Sequence, residues 1–122
     1  MDNKSQKKVL IIEDDQSLAA AYRLKLSQHF NTESAFTGDE GLKDALEWLP
    51  DLIVLDLFLP GKSGQEVLTE LRKNDKTKKI PVIVLTNLEG QHDNIIKLGA
   101  TDCMIKTETS MDQILKKIEG YL

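Results

Sequence analysis

The 122-residue sequence predicts a doubly wound α/β domain with one five-stranded parallel sheet in the order 2-1-3-4-5. Three observations predict it. Short apolar runs without polar alternation stand at residues 9–12 (VLII), 52–55 (LIVL) and 82–85 (VIVL), which is how strands buried on both faces read. Apolar residues at helical spacing fill the gaps between such runs. The resulting strand–helix alternation repeats about every 24 residues, the pattern of a parallel sheet covered by helices on both faces.

The elements follow in chain order. Strand one, at 9–12, precedes a helix marked by Leu18, Ala21, Tyr22 and Leu26. A weaker strand at 32–36 has the mixed polarity of a sheet edge. The box Thr37-x-x-Glu40 then opens a helix with Leu42, Ala45, Leu46 and Leu49 on one stripe. Strand three, at 52–55, is followed by Pro60-Gly61, which fits a type II turn, and by the box Ser63-x-x-Glu66 before Val67, Leu68 and Leu71. Residues 72–79 are basic and are expected to form a solvated loop. Strand four, at 82–85, leads to a weakly patterned helix over about 89–98 that ends at Gly99, a C-terminal cap. A second edge strand at 101–105 and a helix carrying Met111, Ile114, Leu115 and Ile118 behind Ser110-x-x-Gln113 complete the chain. The strongest runs, one, three and four, belong in the centre of the sheet, and the weak second and fifth strands at its edges. Residues 1–122 are read as one domain with a flexible N-terminus over 1–7.

Composition narrows the function. Hydrophobic residues make up 40% and charged residues 30%, so collagen-like and disordered classes are excluded. A single cysteine, Cys103, rules out an intramolecular disulfide framework and a Cys-based zinc site. No apolar run approaches the roughly 18 residues needed to cross a bilayer. The N-terminal lysines precede an apolar run too short for a signal peptide, so a cytoplasmic protein is expected, without membrane association. The net charge of −4 argues against a nucleic-acid partner.

Ligands of open parallel sheets bind outside the carboxyl ends of the strands. There the sequence places Glu13, Asp14 and Asp15 after strand one, Asp56 after strand three, Thr86 after strand four and Lys106 after strand five. Asp15 reads as an acid at a helix start, where the dipole favours it, rather than as a ligand. Carboxylates about 5 Å apart repel by roughly 3 kcal/mol per pair at an effective dielectric of 20, so Glu13, Asp14 and Asp56 call for a hard cation, and Mg²⁺ suits a few oxygens and water. An aspartate beside such a cation can attack phosphorus and form an acyl phosphate. The phosphoryl oxygens would then meet the cation, a hydroxyl such as Thr86 and an ammonium such as Lys106.

Ile12-Glu13-Asp14-Asp15, Asp56-x-x-x-Pro60-x-x-x-Gly64, Thr86 at the close of strand four, and Lys106 after Gly99-Ala100-x-Asp102 together resemble the receiver domain of two-component response regulators. The resemblance covers about residues 7–122. It implies a flavodoxin-like receiver fold and phosphorylation of Asp56 by a histidine kinase or a histidine phosphotransfer protein. It implies that Glu13, Asp14, Asp56 and the backbone carbonyl of Phe58 arrange Mg²⁺ and its waters, and that Thr86 and Lys106 contact the phosphoryl group. It also implies a module that catalyses only its own phosphorylation and dephosphorylation. Such a module passes its state to a downstream protein through the face of helix 4, strand 5 and helix 5, as a monomer or a weak phosphorylation-linked dimer.

Three positions depart from the family's pattern. Cys103 stands where the family usually has an aromatic residue whose rotation couples to the threonine. Thr107 replaces the usual cis-proline after the lysine, and a trans bond is expected because a non-proline cis bond costs about 3 kcal/mol. Asn87 replaces a small residue and narrows access to the phosphoryl site. The main alternative is a degenerate receiver that binds its partner without phosphorylation. A flavodoxin-like electron carrier is disfavoured, because Glu13-Asp14-Asp15 would repel the phosphate it must cradle. A phosphatase with an Asp nucleophile is disfavoured by Phe58, where a second acid would stand. Cys103 reads as a small filler, Trp48 as packing, and His29 and His92 as surface residues.

Overall fold

The computed structural model describes residues 7–87 and 90–122 and contains the expected five parallel strands: β1 (Lys8–Ile12), β2 (Asn31–Ala35), β3 (Leu52–Asp56), β4 (Val82–Thr86) and β5 (Asp102–Ile105). Their order is β2-β1-β3-β4-β5. Five helices alternate with them: α1 (Gln16–Leu26), α2 (Gly38–Trp48), α3 (Gly64–Lys73), α4 (His92–Lys97) and α5 (Met111–Tyr121). Residues 1–6 and the expected start of the fourth helix at Leu88 and Glu89 lie outside the described residues.

Alternation along the central strands separates two cores. Leu10, Ile12, Ile53, Leu55, Val82 and Val84 pack with residues of α2, α3 and α4. Val9, Ile11, Leu52, Val54, Ile83 and Leu85 pack with Tyr22 and Leu26 of α1 and with Ile114, Leu115 and Ile118 of α5. Successive side chains of a strand point to opposite faces, so each run of four apolar residues feeds both layers.

Helix starts match the capping residues. The boxes at Ser63 and Ser110 both close reciprocally, with Glu66 and Gln113 as partners. At α2, Thr37 accepts from Glu40 N, the forward half of the box. Gly61, at φ 72°, supplies the left-handed residue of the Pro60-Gly61 turn, and Gly99, at φ 115°, lies just beyond the α4 cap residue Leu98.

Several helical details differ from the sequence expectation. In α1 the inward small residue is Ala19, whereas Ala21 is exposed. In α2 the stripe stops short of Leu49, which is the left-handed C-cap and 43% exposed. Gly38 and Gly41 supply buried contact there instead, where a Cβ on Gly41 would come within 2.6 Å of the Ile12 side chain. The basic stretch is not simply solvated. Arg72 Nε donates to Gly99 O at 2.7 Å and its Nη1 to Ile80 O at 2.8 Å, while the fully buried Thr77 hydroxyl donates to Leu71 O at 2.7 Å. These bonds tie the end of α3 to the start of β4 and to the turn before β5.

Candidate phosphorylation site

Strand register assembles the site. Ile12 pairs with Leu55, so the next residues, Glu13 and Asp56, stand side by side. Asp56 pairs with Leu85, and Thr86 pairs with Ile105, so the line of polar residues steps outward by one position toward Lys106. The same alternation assigns faces. Glu13, Asp56 and Lys106 continue the α1–α5 side, whereas Thr86 falls on the opposite side. A cavity of about 530 Å³ accordingly takes Glu13, Asp14, Asp56, Phe58, Asn87 and Lys106 into its wall. Thr86, fully buried, stands outside that wall.

The charged groups are closely coupled. Lys106 Nζ donates to Asp56 Oδ2 at 2.9 Å and also to Glu13 Oε1. The remaining oxygens are used as well: Glu13 Oε2 accepts from Asp15 N at 3.1 Å, and Asp56 Oδ1 from Phe58 N at 3.3 Å. Glu13 is 2% exposed and Asp56 5%, whereas Asp14 faces solvent. Burial pushes the Glu13 carboxyl above its usual range, and the Lys106 bond and the Asp15 amide only partly counter it. Burial also draws the Lys106 ammonium downward, but its bonds to Glu13 and Asp56 outweigh that and leave it raised. The Lys106 contact thus offsets part of what burial costs the Glu13 carboxylate.

Ligand oxygens of Glu13, Asp14 and Asp56 lie within 4.8 Å of one another. These are three hard oxygen donors close together, the donor type that Mg²⁺ would take with water completing its shell. Asp15, expected as an acid at a helix start, is the α1 N-cap: its Oδ1 accepts from Leu18 N at 3.1 Å. Phe58 is 60% exposed at the mouth of the cavity. The described peptide bonds include no cis bond, as expected for Lys106–Thr107. Cys103 is half-buried against the core, as a filler would be. Sequence reasoning placed Tyr22 in the core but did not find that it also lines the site cavity. Its helical spacing and the strand parity of Glu13 and Asp56 carried that information.

A doubly wound sheet with paired acids after β1, an aspartate ending β3 and a lysine after β5 is the arrangement of a signalling receiver domain. The family profile described as "Response regulator receiver domain" matches residues 9–119, and the chain belongs to that family. It is 33% identical over 117 residues to the response regulator ArlR of Staphylococcus aureus, covering 93% of this chain and 52% of ArlR. The chain thus spans about half the length of the curated relatives it matches. The receiver domain of the Francisella response regulator 1452 superposes with a TM-score of 0.89 at 28% identity, covering 95% of this chain and 96% of that one. The BeF3-activated N-terminal receiver domain of Klebsiella pneumoniae RstA gives 0.86 at 27% identity, with 94% and 97% covered. Membership is consistent with two-component signalling. Among the described residues no helix is long and apolar enough to cross a membrane.

Proposed function

We propose that the chain is a cytoplasmic, Mg²⁺-dependent phosphoryl receiver whose acceptor is Asp56. The supporting observation is that this carboxylate ends the buried central strand with Glu13, Asp14 and Lys106 gathered around it. A carboxylate oxygen of Asp56 forms the bond to phosphorus as the phosphorus–nitrogen bond of a donor phosphohistidine breaks, and the leaving imidazole takes up a proton. Glu13, Asp14, Asp56 and the Phe58 carbonyl would hold the Mg²⁺, which when bound would supply positive charge beside the transferring group. Lys106 exchanges its contact with Asp56 for a phosphoryl oxygen, and Thr86 meets another after a shift of β4's end. The chain's catalysis is confined to its own phosphorylation and dephosphorylation.

Output runs through the face of α4, β5 and α5 to a downstream protein. This reading is supported by α4, a helix of six residues whose N-cap Gln91 makes no side-chain capping bond. Cys103 cannot swing a ring, so the response on this face is carried by Thr86, Asn87 and α4. Incubation with acetyl phosphate and Mg²⁺ tests the site: one addition of about 80 Da is expected in the wild type and none in Asp56→Asn. A label retained by Asp56→Asn overturns the assignment. A wild type that takes no label yet binds its partner supports the phosphorylation-independent alternative.

A further inference from the structure

The site cavity contains a phenol that the proposed chemistry leaves without a role. Tyr22 is 4% exposed, and its ring forms part of the wall shared with Glu13, Asp56 and Lys106. Buried tyrosine hydroxyls ordinarily find a hydrogen-bond partner. The Tyr22 hydroxyl has none among the described residues, and it is not one of the fully enclosed side-chain atoms that lack a hydrogen bond. It therefore opens onto the cavity.

Strand parity explains the meeting. Tyr22 belongs to the α1–α5 core, and Glu13, Asp56 and Lys106 continue that same face. Burial raises the phenol to about 12, and the strongest opposing influence is the charge of Lys106. The hydroxyl thus stays protonated, able both to accept from an ammonium and to donate to an anion. Lys106 has three N–H groups, and Glu13 and Asp56 occupy two.

We propose that Tyr22 is a positioning residue for Lys106, its hydroxyl taking the third ammonium hydrogen directly or through one water and aiming the lysine at the phosphoryl group. This rests on Asp56 being the acceptor. When Lys106 gives up a carboxylate, the Tyr22 contact limits the directions it can take, and the ammonium reaches the phosphoryl oxygen already oriented.

The test compares wild type, Tyr22→Phe, Lys106→Ala and the double variant, with Asp56→Asn as the control for the site. Phosphorylation by acetyl phosphate with Mg²⁺ is followed by intact mass as a function of donor concentration. Tyr22→Phe keeps the ring, so its circular dichroism and Mg²⁺ affinity in the absence of donor should match wild type. The expected result is a fall of about fivefold in the maximal rate, with half-saturating donor unchanged within twofold. In the Lys106→Ala background the same substitution should have no further effect. A maximal rate within 1.5-fold of wild type, or a full loss that persists without Lys106, overturns the proposal. If wild type is labelled and Asp56→Asn is not, such a result refutes Tyr22 alone; a wild type without label refutes both.

Discussion

Lys106 and Asp56, 50 residues apart in sequence, meet through Nζ and Oδ2 at 2.9 Å, and the same ammonium bonds Glu13. The cation expected to meet a phosphoryl group is, in the resting chain, the countercharge of two buried acids. Repulsion counted from the carboxylates alone therefore overstates the electrostatic strain of the metal-free site. What remains is concentrated on removing Lys106, not on the presence of Asp14.

Lys106→Met should lower the metal-free melting midpoint. Removing one partner of a buried ion pair costs about 3–5 kcal/mol, and this partly open site should lose about 2–3. At roughly 3–6 °C per kcal/mol for a domain of this size, the drop should be about 6–18 °C. Mg²⁺ should then stabilise the variant more than the wild type, because the lysine no longer competes for Glu13 and Asp56. Melts in EDTA and in Mg²⁺ check both signs; an unchanged EDTA midpoint contradicts the countercharge role.

Neighbouring Asp14 and Asp15 should separate cleanly. Asp15 caps α1 through Leu18 N, so Asp15→Ala should cost about 1 kcal/mol and leave the Mg²⁺ shift intact. Asp14 is exposed beside Glu13 and Asp56, so both Asp14→Asn and Asp14→Ala should leave the EDTA midpoint level or slightly higher and blunt the Mg²⁺ shift. Calorimetric Mg²⁺ titration of the three variants decides between cap and ligand. Full Mg²⁺ affinity in Asp14→Ala removes Asp14 from the site.

Most of the sheet was legible because its central strands are unbroken apolar runs, and the candidate site because Glu13, Asp56 and Thr86 close or follow those runs and Lys106 follows the edge strand β5. The face of each polar residue was also there in the period-2 alternation, which sends Thr86 away from Asp56's side. What the sequence hid depends on side-chain reach. Arg72 looks like one basic residue in a charged stretch, and only the folded turn brings Gly99 O and Ile80 O within its fork. The α2 stripe misled at Leu49 because the left-handed cap turns the chain out of helical phase.

Arg72 should be a stability residue. It donates from Nε and Nη1 to carbonyls of two segments, a geometry matched to a planar guanidinium. Arg72→Ala should cost about 2–3 kcal/mol, and Arg72→Lys should recover less than half, because an ammonium cannot span both carbonyls. Urea unfolding measures both, and amide exchange should accelerate at the α4–β5 turn. Full rescue by lysine would falsify the fork as the cause.

Asp102 gives the fold an acid-sensitive link between β5 and α5. Burial alone would raise its carboxyl, but the Cys103 amide at 2.8 Å, Lys117 at 3.1 Å and the Tyr121 hydroxyl at 3.2 Å outweigh it, and the group is held below its ordinary value. A depressed folded-state acid contributes stability above its unfolded pKa, about 3.9, and loses it as pH falls through the lower folded value. The stability gap between wild type and Asp102→Asn should be constant from pH 7 to about 5 and should narrow below about 4. Melting across that range tests the sign; a gap that widens in acid contradicts it.

Gly64 should be the least replaceable residue of the loop after Asp56. A Cβ there would stand 2.4 Å from Asp56 O and 2.5 Å from Leu57 Cα, and both are backbone atoms that cannot rotate aside. The loop is already fixed by the bond from Gly64 N to Leu57 O at 2.9 Å and by the Ser63–Glu66 box. Gly64→Ala must therefore displace the end of β3 or the start of α3. The first outcome moves Asp56 from Lys106, and the second weakens the Val67 and Leu68 packing. Overpacking of this kind costs about 1–3 kcal/mol. Gly120→Ala is the matched control: it lies within α5 with open space around it, and exchange of Gly for Ala in a helix stabilises by up to about 1 kcal/mol. The expected result is a lower midpoint and slower labelling by acetyl phosphate for Gly64→Ala. Gly120→Ala should give a level or higher midpoint with normal labelling. Wild-type behaviour of Gly64→Ala in both measurements contradicts the close approach of α3 to Asp56.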